Sequence, residues 1–501
     1  MENILGHSEG KMDDQIRAFQ IRLMVYAAKN RCQECIDLGL FLVKYLDKEL
    51  DFPTNPGPFA AMSAVVKTNR VMKKQSSESI RNCPVLKDPN RLRALECIKY
   101  IMIPAFTVKP RLLLVISMKI IRWSLKHGIS KYLCPHLLFY SNFLFFVSND
   151  LRKALIVGET AVELAGLLKS RDVMAQNIVF YYGMHFHLIN EMAKIADPAA
   201  SGYQIGVESG HISDANLNLF LHGQVLFATT SRPLSEMATT LESNIATMKR
   251  YGQDMPASFT IIFLRFINYL LEKSEDPTLM RGGSIEDDSL LAASLKTNAS
   301  LQVTLDSHRM QLAYLCGDLK TAAQYRDASR DFGIRLMVSN IAFIRHLLFR
   351  GLTASALAKT NVSRLQNIRD VRFVVKKMKA WHANGNPNVK APMRLLEAEL
   401  AGLAGDKPEA ELLYKQSIQS SARSGLLHYK AVAQSLNGDV FIEIGDDYWA
   451  SYNITNAIES FRDWGAVRLE KAMTEKYKTL DGVGGTRSSS LEPPPVSGEL
   501  S

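Results

Sequence analysis

Two pairs of residues have spacings that could hold a metal ion or carry out redox chemistry. Cys32 and Cys35 have the C-x-x-C separation of zinc and disulfide-exchange motifs, and His185 and His187 bring two imidazoles close together in the sequence. The cysteines have neither a second C-x-x-C nor a histidine pair nearby, so we interpret them as small buried residues of a helix. Histidines two positions apart on a helix point to different faces. We therefore expect no metal site and no cofactor.

The chain has no complete phosphate-binding loop. Its nearest approach to G-x-x-x-x-G-K-[ST] starts at Gly6, where the next glycine, Gly10, follows one residue too soon. Met12 stands where the magnesium-holding hydroxyl belongs. The signature set of protein kinases, with its catalytic loop, its DFG and its glycine-rich loop before a lysine, is also missing from the sequence. These observations predict that the chain is not an enzyme.

The composition predicts a large all-α protein. The 501 residues are 47% hydrophobic and 22% charged, which allows an extensive core, and only 18 prolines and 29 glycines interrupt them. Lys and Arg number 60 against 50 Asp and Glu, and the resulting net charge of +10 is spread along the chain. Because there is no clustered basic stripe with interleaved aromatic residues, we expect no nucleic-acid partner.

The sequence also predicts a cytoplasmic protein without a membrane partner. Its six cysteines form no disulfide-like framework, and its first residues lack the apolar core of a signal peptide. The two most apolar runs, residues 112–123 and 133–147, are short and contain polar residues. Such runs are typical of buried helices and are too short to span a bilayer.

A recurring turn indicates the architecture. A small or polar turn, flanked on both sides by apolar residues with helical spacing, occurs at Asn30, Asp150, Asp318, Asp406 and Asp446. The separations of 120, 168, 88 and 40 residues are close to multiples of a unit of about 40 to 44 residues. The pattern predicts a TPR-like superhelix of antiparallel helical hairpins, in which neighbouring hairpins cover each other's apolar faces.

The same pattern predicts the domain organisation. We expect residues 1–12 to be disordered and residues 13–272 to form an N-terminal helical-repeat block. Residues 273–289 are acidic, contain two glycines and lack periodicity, so they predict a flexible loop. Residues 290–480 form a C-terminal TPR-like block, and residues 481–501, rich in Gly, Ser and Pro, predict a disordered tail.

Stacked hairpins expose one helix of each pair along an inner groove, which suits a peptide or a folded domain. Polar or aromatic residues on otherwise apolar helices are the candidates for contacts in this groove. Asn177, Tyr181 and His185 share one helix face through their i, i+4 spacing, and Arg345 interrupts the apolar run 341–349. We predict that these four residues bind a partner. The alternative is that they are satisfied core residues, or exposed residues without a partner.

The C-terminal third resembles a known family. Residues 378–480 are similar to the closing helices of the predicted STAND-type ATPase module found in multidomain serine/threonine kinases and hybrid histidine kinases. The pieces that carry the resemblance are 396–400, 405–407, 410–414, Ala457 with Phe461, 464–466, and Leu469 and Glu470 with Tyr477.

Upstream segments extend the resemblance. Residues 33–40 are similar to the family's first hairpin and residues 122–128 to a later one, so the resemblance covers residues 13–480 in order. It implies a TPR-like region that regulates a kinase or an ATPase. The family places a kinase domain and a P-loop ATPase before this region, and often GAF and histidine-kinase modules after it. None of these modules is found in the 501 residues, so the family's catalytic residues match no position here.

Three functions remain open from the sequence. The first, which we favour, is a non-catalytic helical-repeat scaffold or regulatory module that binds a protein partner in signal transduction, such as a kinase or an ATPase. A variant of this hypothesis is that the chain is a fragment of a longer ATPase or kinase signalling protein. The second function is a divergent ATPase or kinase fragment with residual nucleotide binding. The third is a structural array without a signalling role.

Overall fold

The protein is all-α, as the composition and periodicity predict. The computed structural model describes residues 12–145, 151–168, 171–230, 232–336 and 340–480. These described residues are 81% helical and contain no β-strand, although an isolated parallel bridge joins Val85 and Ile129. The ends expected to be disordered, 1–12 and 481–501, lie outside the described residues except for residue 12, which begins the first helix.

The first half of the chain forms thirteen α-helices among the described residues. In chain order they are α1 (Met12–Ala28), α2 (Cys32–Leu46), α3 (Pro58–Met72), α4 (Ser77–Arg81), α5 (Pro89–Val108), α6 (Pro110–His127), α7 (Leu133–Phe143), α8 (Leu151–Leu167), α9 (Arg171–Met184), α10 (Ala196–Glu208), α11 (Ile212–Thr229), α12 (Leu234–Arg250) and α13 (Asp254–Leu270).

The second half continues the same pattern. Its helices are α14 (Ile285–Leu295), α15 (Ala299–Leu315), α16 (Leu319–Ala328), α17 (Phe332–Arg335), α18 (Ala342–Lys359), α19 (Arg364–Ala383), α20 (Lys390–Ala404), α21 (Lys407–Arg423), α22 (Leu427–Ile444), α23 (Asp447–Trp464) and α24 (Val467–Lys476). Short 3₁₀ turns join some of the helices: Lys48–Leu50, Phe186–Leu188, Met192–Ile195 and Pro387–Val389.

The recurring Gly–Asp turn ends one helix and begins the next. Gly405 adopts a left-handed conformation, with a φ of 85°, that only glycine adopts without strain, and it closes α20. Asp406 then caps α21, because its side chain accepts a hydrogen bond of 3.2 Å from the backbone N–H of Glu409. The turn therefore fixes both the stop of one arm and the start of the other.

Two of the other predicted turns combine a left-handed glycine with a capping aspartate in the same way, and the turn at Asn30 does not. Asp318 caps α16 and Asp446 caps α23, each after a left-handed glycine. These turn positions are confirmed. Asn30 itself takes the left-handed conformation, with a φ of 57°, between α1 and α2. Asp150 lies outside the described residues.

Consecutive helices pack as hairpins. The most extensive contacts between consecutive helices join α10 to α11, α20 to α21 and α22 to α23. Helix α2 packs comparably against α5, which is not its neighbour in the sequence. The arms of the α10–α11 hairpin approach very closely. A Cβ atom added to Gly206 would lie 2.8 Å from the backbone nitrogen of Ala215, so a side chain at this position would force the helices apart.

One helix of each hairpin belongs to an inner row. The members α9, α11, α13, α15, α18, α20 and α22 each contact the next member of the row. Some are buried nearly all round: α13 buries the consecutive residues Ile261, Ile262 and Phe263, which point to different sides of the helix. A helix that is apolar around most of its circumference belongs in the interior of a large protein.

The superhelix is wound so tightly that early and late helices touch. Helix α5 contacts α15, α11 contacts α18, and α13 contacts α24. Asn388 donates hydrogen bonds to the carbonyls of His187 (2.7 Å) and Asn190 (2.8 Å), and Arg468 donates one to the carbonyl of Tyr269 (2.9 Å). The repeats predicted a continuous inner groove. Where these early and late helices contact each other, the groove is closed by the chain's own helices.

The predicted flexible loop is shorter in the structure. Helix α13 ends at Leu270 and α14 begins at Ile285, so the end of the predicted loop is helical. Asp276 accepts hydrogen bonds from the backbone N–H groups of Met280 (3.0 Å) and Arg281 (2.7 Å). These contacts give the segment a local structure that its lack of periodicity did not indicate, and its flexibility stays a prediction.

Residues 112–123 lie in α6 and residues 133–143 in α7, and for these residues the prediction of buried helices is confirmed. Residues 146 and 147 of the second run lie outside the described residues. Residues Leu112, Ile116 and Ile120 of α6 and Leu133 and Leu137 of α7 are among the least exposed in the chain. Within the described ranges, no helix combines the length and the apolar composition that a membrane crossing requires.

The Gly–Asp turns yield a first prediction. We expect Asp406→Ala to lower the free energy of unfolding by about 1 kcal/mol, because the N–H of Glu409 loses its acceptor. Asp406→Asn should cost much less, since an amide oxygen also caps a helix. Urea unfolding curves of the two variants provide the measurement, and an equal loss in both would contradict a capping role.

Candidate functional site

Three of the predicted partner-binding residues lie at the end of α9. Asn177 and Tyr181 belong to the helix, and His185 follows its last residue. The rings of Tyr181 and His185 stack with centroids 6.4 Å apart and an interplanar angle of 9°. Tyr181 also makes an edge contact with Tyr182, at 5.1 Å. The structure thus places Tyr181 and His185 side by side within an aromatic cluster.

Asn177, Tyr181 and His185 differ in how deeply their side chains are buried. Asn177 is 6% exposed and His185 2% exposed, and neither amide atom of Asn177 nor the Nε2 atom of His185 has a hydrogen-bond partner among the described residues. Burial lowers the pKa of His185 to about 4, so the imidazole is neutral at pH 7. Tyr181 is half-buried. Of the three residues, Tyr181 is the most accessible to a partner.

Arg345 lies on α18 and is 4% exposed. Its Nε donates to Gln311 Oε1 at 2.7 Å and its Nη1 to the carbonyl oxygen of Phe227 at 3.0 Å. The guanidinium also lies 4.3 Å from the centre of the Phe227 ring, within cation–π distance. Arg345 is therefore held in the interior by α11 and α15, and a folded partner would not reach it on the surface.

None of these contacts of the Arg345 guanidinium is with a carboxylate that would neutralise its charge. Burial lowers its pKa to about 10, so the side chain stays protonated at neutral pH. Phe227 belongs to the last turn of α11, where the helix dipole places partial negative charge. The Nη2 atom has no hydrogen-bond partner among the described residues. Arg345 thus retains an unused donor.

The inner row encloses an apolar cavity of about 100 Å³. Helices α5, α9, α11, α13, α15 and α18 contribute to its wall, which includes Phe220, Phe259 and Phe263. None of the described residues that line it is charged. The cavity therefore offers no group that would orient a charged ligand.

The remaining histidine and cysteine candidates are buried. The pKa of His187 is lowered to about 3 by burial, and within the described residues no three His, Cys, Asp or Glu side chains form a group that could hold a metal ion. Cys32 and Cys35 are 8% and 0% exposed, as predicted for small core residues. Burial raises the pKa of the Cys32 thiol to about 11, which leaves it a poor nucleophile.

Residues that carry the family resemblance hold the last hairpins together. Glu399, on α20, is 1% exposed and accepts hydrogen bonds from the hydroxyls of Tyr414 and Ser355. Burial alone would raise the pKa of Glu399, but Lys359, 3.0 Å away, and the two hydroxyls lower it. This buried carboxylate joins α18, α20 and α21. These parts of the motif therefore have a structural role.

A set of exposed apolar side chains on the first three helices was not predicted from the sequence. We call it the N-terminal apolar edge, and it consists of Ile21, Val25, Phe41, Tyr45, Phe59, Met62 and Val66, all exposed. Phe59, Met62 and Val66 follow the spacing i, i+3, i+7 along α3, and Phe59 is 92% exposed. That spacing was visible in the sequence, but it could not show which face of α3 packs against α6.

Comparisons with known proteins identify no family for this chain. No protein-family model matches the sequence, and no curated protein matches it significantly. Among solved structures, a circular tandem repeat protein with novel repeat topology and enhanced subunit contact surfaces shares 13% identity over 93% of this chain and 96% of that chain. Its TM-score of 0.14 is too low to support any further argument, so the helical-repeat assignment rests on the structure itself.

The buried histidines predict the pH dependence of stability. His136, His185, His308 and His346 are neutral when folded because burial lowers their pKa values to about 3 or 4, whereas an unfolded histidine titrates near about 6.5. Below that value only the unfolded chain gains protons, so stability falls as the pH drops towards 4, by up to about 1.4 kcal/mol per pH unit for each histidine.

Urea unfolding at a series of pH values measures this effect. Replacement of the exposed His382 by Gln should leave the slope unchanged. A flat profile between pH 7 and 4 would contradict the neutral buried state of the four histidines.

Proposed function

We propose that this protein is a non-catalytic helical-repeat scaffold that binds a protein partner in signal transduction, and that the N-terminal apolar edge is the docking surface. The observation that carries the proposal is the concentration of exposed apolar side chains on α1, α2 and α3. Groups of exposed apolar side chains on a folded protein mark surfaces that another molecule covers.

The packing of α3 supports this interpretation. Its extensive contacts within the described residues are with α6, which leaves the opposite face to the solvent. Phe59, Met62 and Val66 lie on that face. Burial of such side chains in an interface contributes about 25 cal/mol per Å² of apolar surface. Three adjacent side chains, one of them aromatic, are typical of the anchor of a helix-mediated interface.

Basic side chains on and beside α3 indicate the kind of partner that this surface would bind. Lys67 and Arg70 lie on the exposed side of α3, and Lys73 and Lys74 follow its last residue. Salt bridges within the described part of the chain involve none of these four side chains. A partner surface with apolar residues surrounded by carboxylates would complement this face. Such complementarity speeds association and selects the partner more than it adds affinity.

The family resemblance suggests which proteins carry that surface. In the family that the sequence resembles, a kinase domain and a P-loop ATPase precede the TPR-like region. We propose a kinase or an ATPase as the partner, bound either as a separate chain or as part of a longer signalling protein of which this chain is a fragment. The absence of a phosphate-binding loop with correct spacing in the sequence supports the non-catalytic part of the proposal.

A photo-crosslinking experiment tests the docking surface. A benzophenone amino acid replaces Phe59 in the full chain, and crosslinked proteins from the source cells are identified by mass spectrometry. We expect a kinase or an ATPase among the adducts, and we expect Met62→Ser together with Val66→Ser to reduce that adduct at least tenfold, because the apolar contact area is lost. The melting temperature should not fall, since both side chains are exposed.

The matched control is the same label at Leu365, which is 73% exposed on α19. Identical adducts at both positions, or adducts without any kinase or ATPase, would refute the proposal. Sedimentation with anionic phosphatidylserine vesicles is a second readout. Vesicle binding that the Met62→Ser, Val66→Ser variant loses would assign the edge to a membrane surface instead.

The non-catalytic part of the proposal has its own test. Phosphate recognition by a nucleotide site needs clustered backbone amides, a lysine and a magnesium ligand, and no segment of the sequence provides all three. We expect calorimetric titration of the full chain with ATP and magnesium to show no micromolar binding and no hydrolysis. Micromolar binding that disappears when magnesium is chelated would favour the divergent ATPase instead.

A further inference from the structure

The apolar cavity enclosed by the inner row lies between the two halves of the chain. Its volume is about 100 Å³. Helices α5, α9, α11 and α13 of the first half and α15 and α18 of the second half all contribute lining residues. A molecule bound in this cavity would therefore contact helices from both halves of the chain.

Phenylalanine rings form a large part of the wall. The rings that line this cavity, which we call the inner cavity, belong to Phe106, Phe180, Phe220, Phe259 and Phe263. The centroid of the Phe220 ring lies 5.6 Å from that of Phe259 and 5.9 Å from that of Phe263. Aromatic rings attract further rings in offset or edge-to-face arrangements. The wall thus matches an aromatic or aliphatic molecule.

The polar side chains of the wall already have hydrogen-bond partners within the chain. Thr107 and Thr304 each donate their hydroxyl to the carbonyl four residues earlier, at 3.0 Å and 2.8 Å. Ser300 donates to the carbonyl of the last residue of α17 at 3.2 Å, and the Gln224 amide donates to Asn340 Oδ1 at 3.4 Å. None of these five side chains has a buried polar atom without a partner among the described residues.

Such a wall does not favour water or a charged ligand. A buried water needs about two to four polar partners, and an engineered apolar cavity of about 150 Å³ stays free of water and binds benzene. The described lining residues of the inner cavity carry no charge and their donors are in use. Atoms that face an unfilled space lose the dispersion contacts that a fitting molecule would supply.

We propose that the inner cavity binds a small uncharged apolar molecule, about the size of one aromatic ring. Met184 and Met255 line the cavity and are half-buried. Because methionine is unbranched and flexible, these side chains can adjust to the shape of the ligand. The bound molecule stabilises the closed superhelix, since it binds the folded chain and not the unfolded one.

Thermal unfolding of the full chain tests the proposal. The probes are benzene, toluene and indole, and sodium benzoate, compared with sodium chloride at the same ionic strength, is the charged counterpart. We expect at least one neutral probe to raise the melting temperature in a saturable way. Benzoate should show no saturable effect, because the lining residues offer nothing to compensate its charge.

A cavity-filling variant locates the binding. Gly183 lines the inner cavity and is the penultimate residue of α9. A Cβ atom added to Gly183 would lie 3.5 Å from the Leu221 side chain, which also lines the cavity, at an ordinary van der Waals distance. We expect Gly183→Leu to occupy the space of the ligand and to weaken the apparent affinity by about tenfold or more. Gly183→Ala adds a single methyl group and should weaken it by about threefold.

Gly166→Leu is the matched control. Gly166 is the penultimate residue of α8, and nothing lies within 4 Å of a Cβ atom added there. This variant should respond to the probes as the wild type does.

Should Gly183→Leu fail to fold, Gly183→Ala decides the location of the site. Wild-type affinity for the neutral probes in the folded Gly183 variants would overturn the proposal, and so would saturable binding of benzoate at the same affinity. The same conclusion would follow if no neutral probe gave a saturable response, since a linear response is the behaviour of a general cosolvent effect.

Discussion

The structure depends on the packing of each helix of the inner row against the next helix of that row. Each hairpin alone would leave the apolar face of its inner helix in water, and helices such as α13 are too apolar on all sides for one neighbour to cover them. The superhelix solves this by tight winding, which brings α5 against α15 and α11 against α18. The hydrophobic effect therefore decides the curvature as well as the core.

This winding determines where function can be located. An open solenoid offers its concave face to a partner, but here that face is occupied by the chain's own helices over much of its length. The outer face of α3 remains accessible, because Phe59, Met62 and Val66 are exposed there. The proposed docking surface follows from this distribution of exposed apolar side chains.

The residues that carry the family resemblance also make contacts that hold neighbouring helices of the superhelix together. Glu399 and Tyr414 form a buried hydrogen bond between neighbouring arms, and Trp464 packs its ring 5.6 Å from that of His428. His428 in turn lies 3.0 Å from Thr230, at the end of α11. Motif residues of a repeat protein thus specify how arms join and where turns of the superhelix meet. Residues with such a structural role do not by themselves indicate a chemistry.

The sequence by itself determined the local structure of this protein. Helical periodicity and sparse glycine and proline predicted the all-α class. The polar turns at Asp318, Asp406 and Asp446 predicted where hairpins turn, because capping depends on neighbouring residues alone. Only the tertiary structure decided the rest. Whether Phe59 is buried, and whether Arg345 faces a groove or the interior, depends on contacts between residues more than a hundred positions apart, such as that of Arg345 with Phe227. Periodicity identifies an apolar face but contains no information about which distant helix covers it.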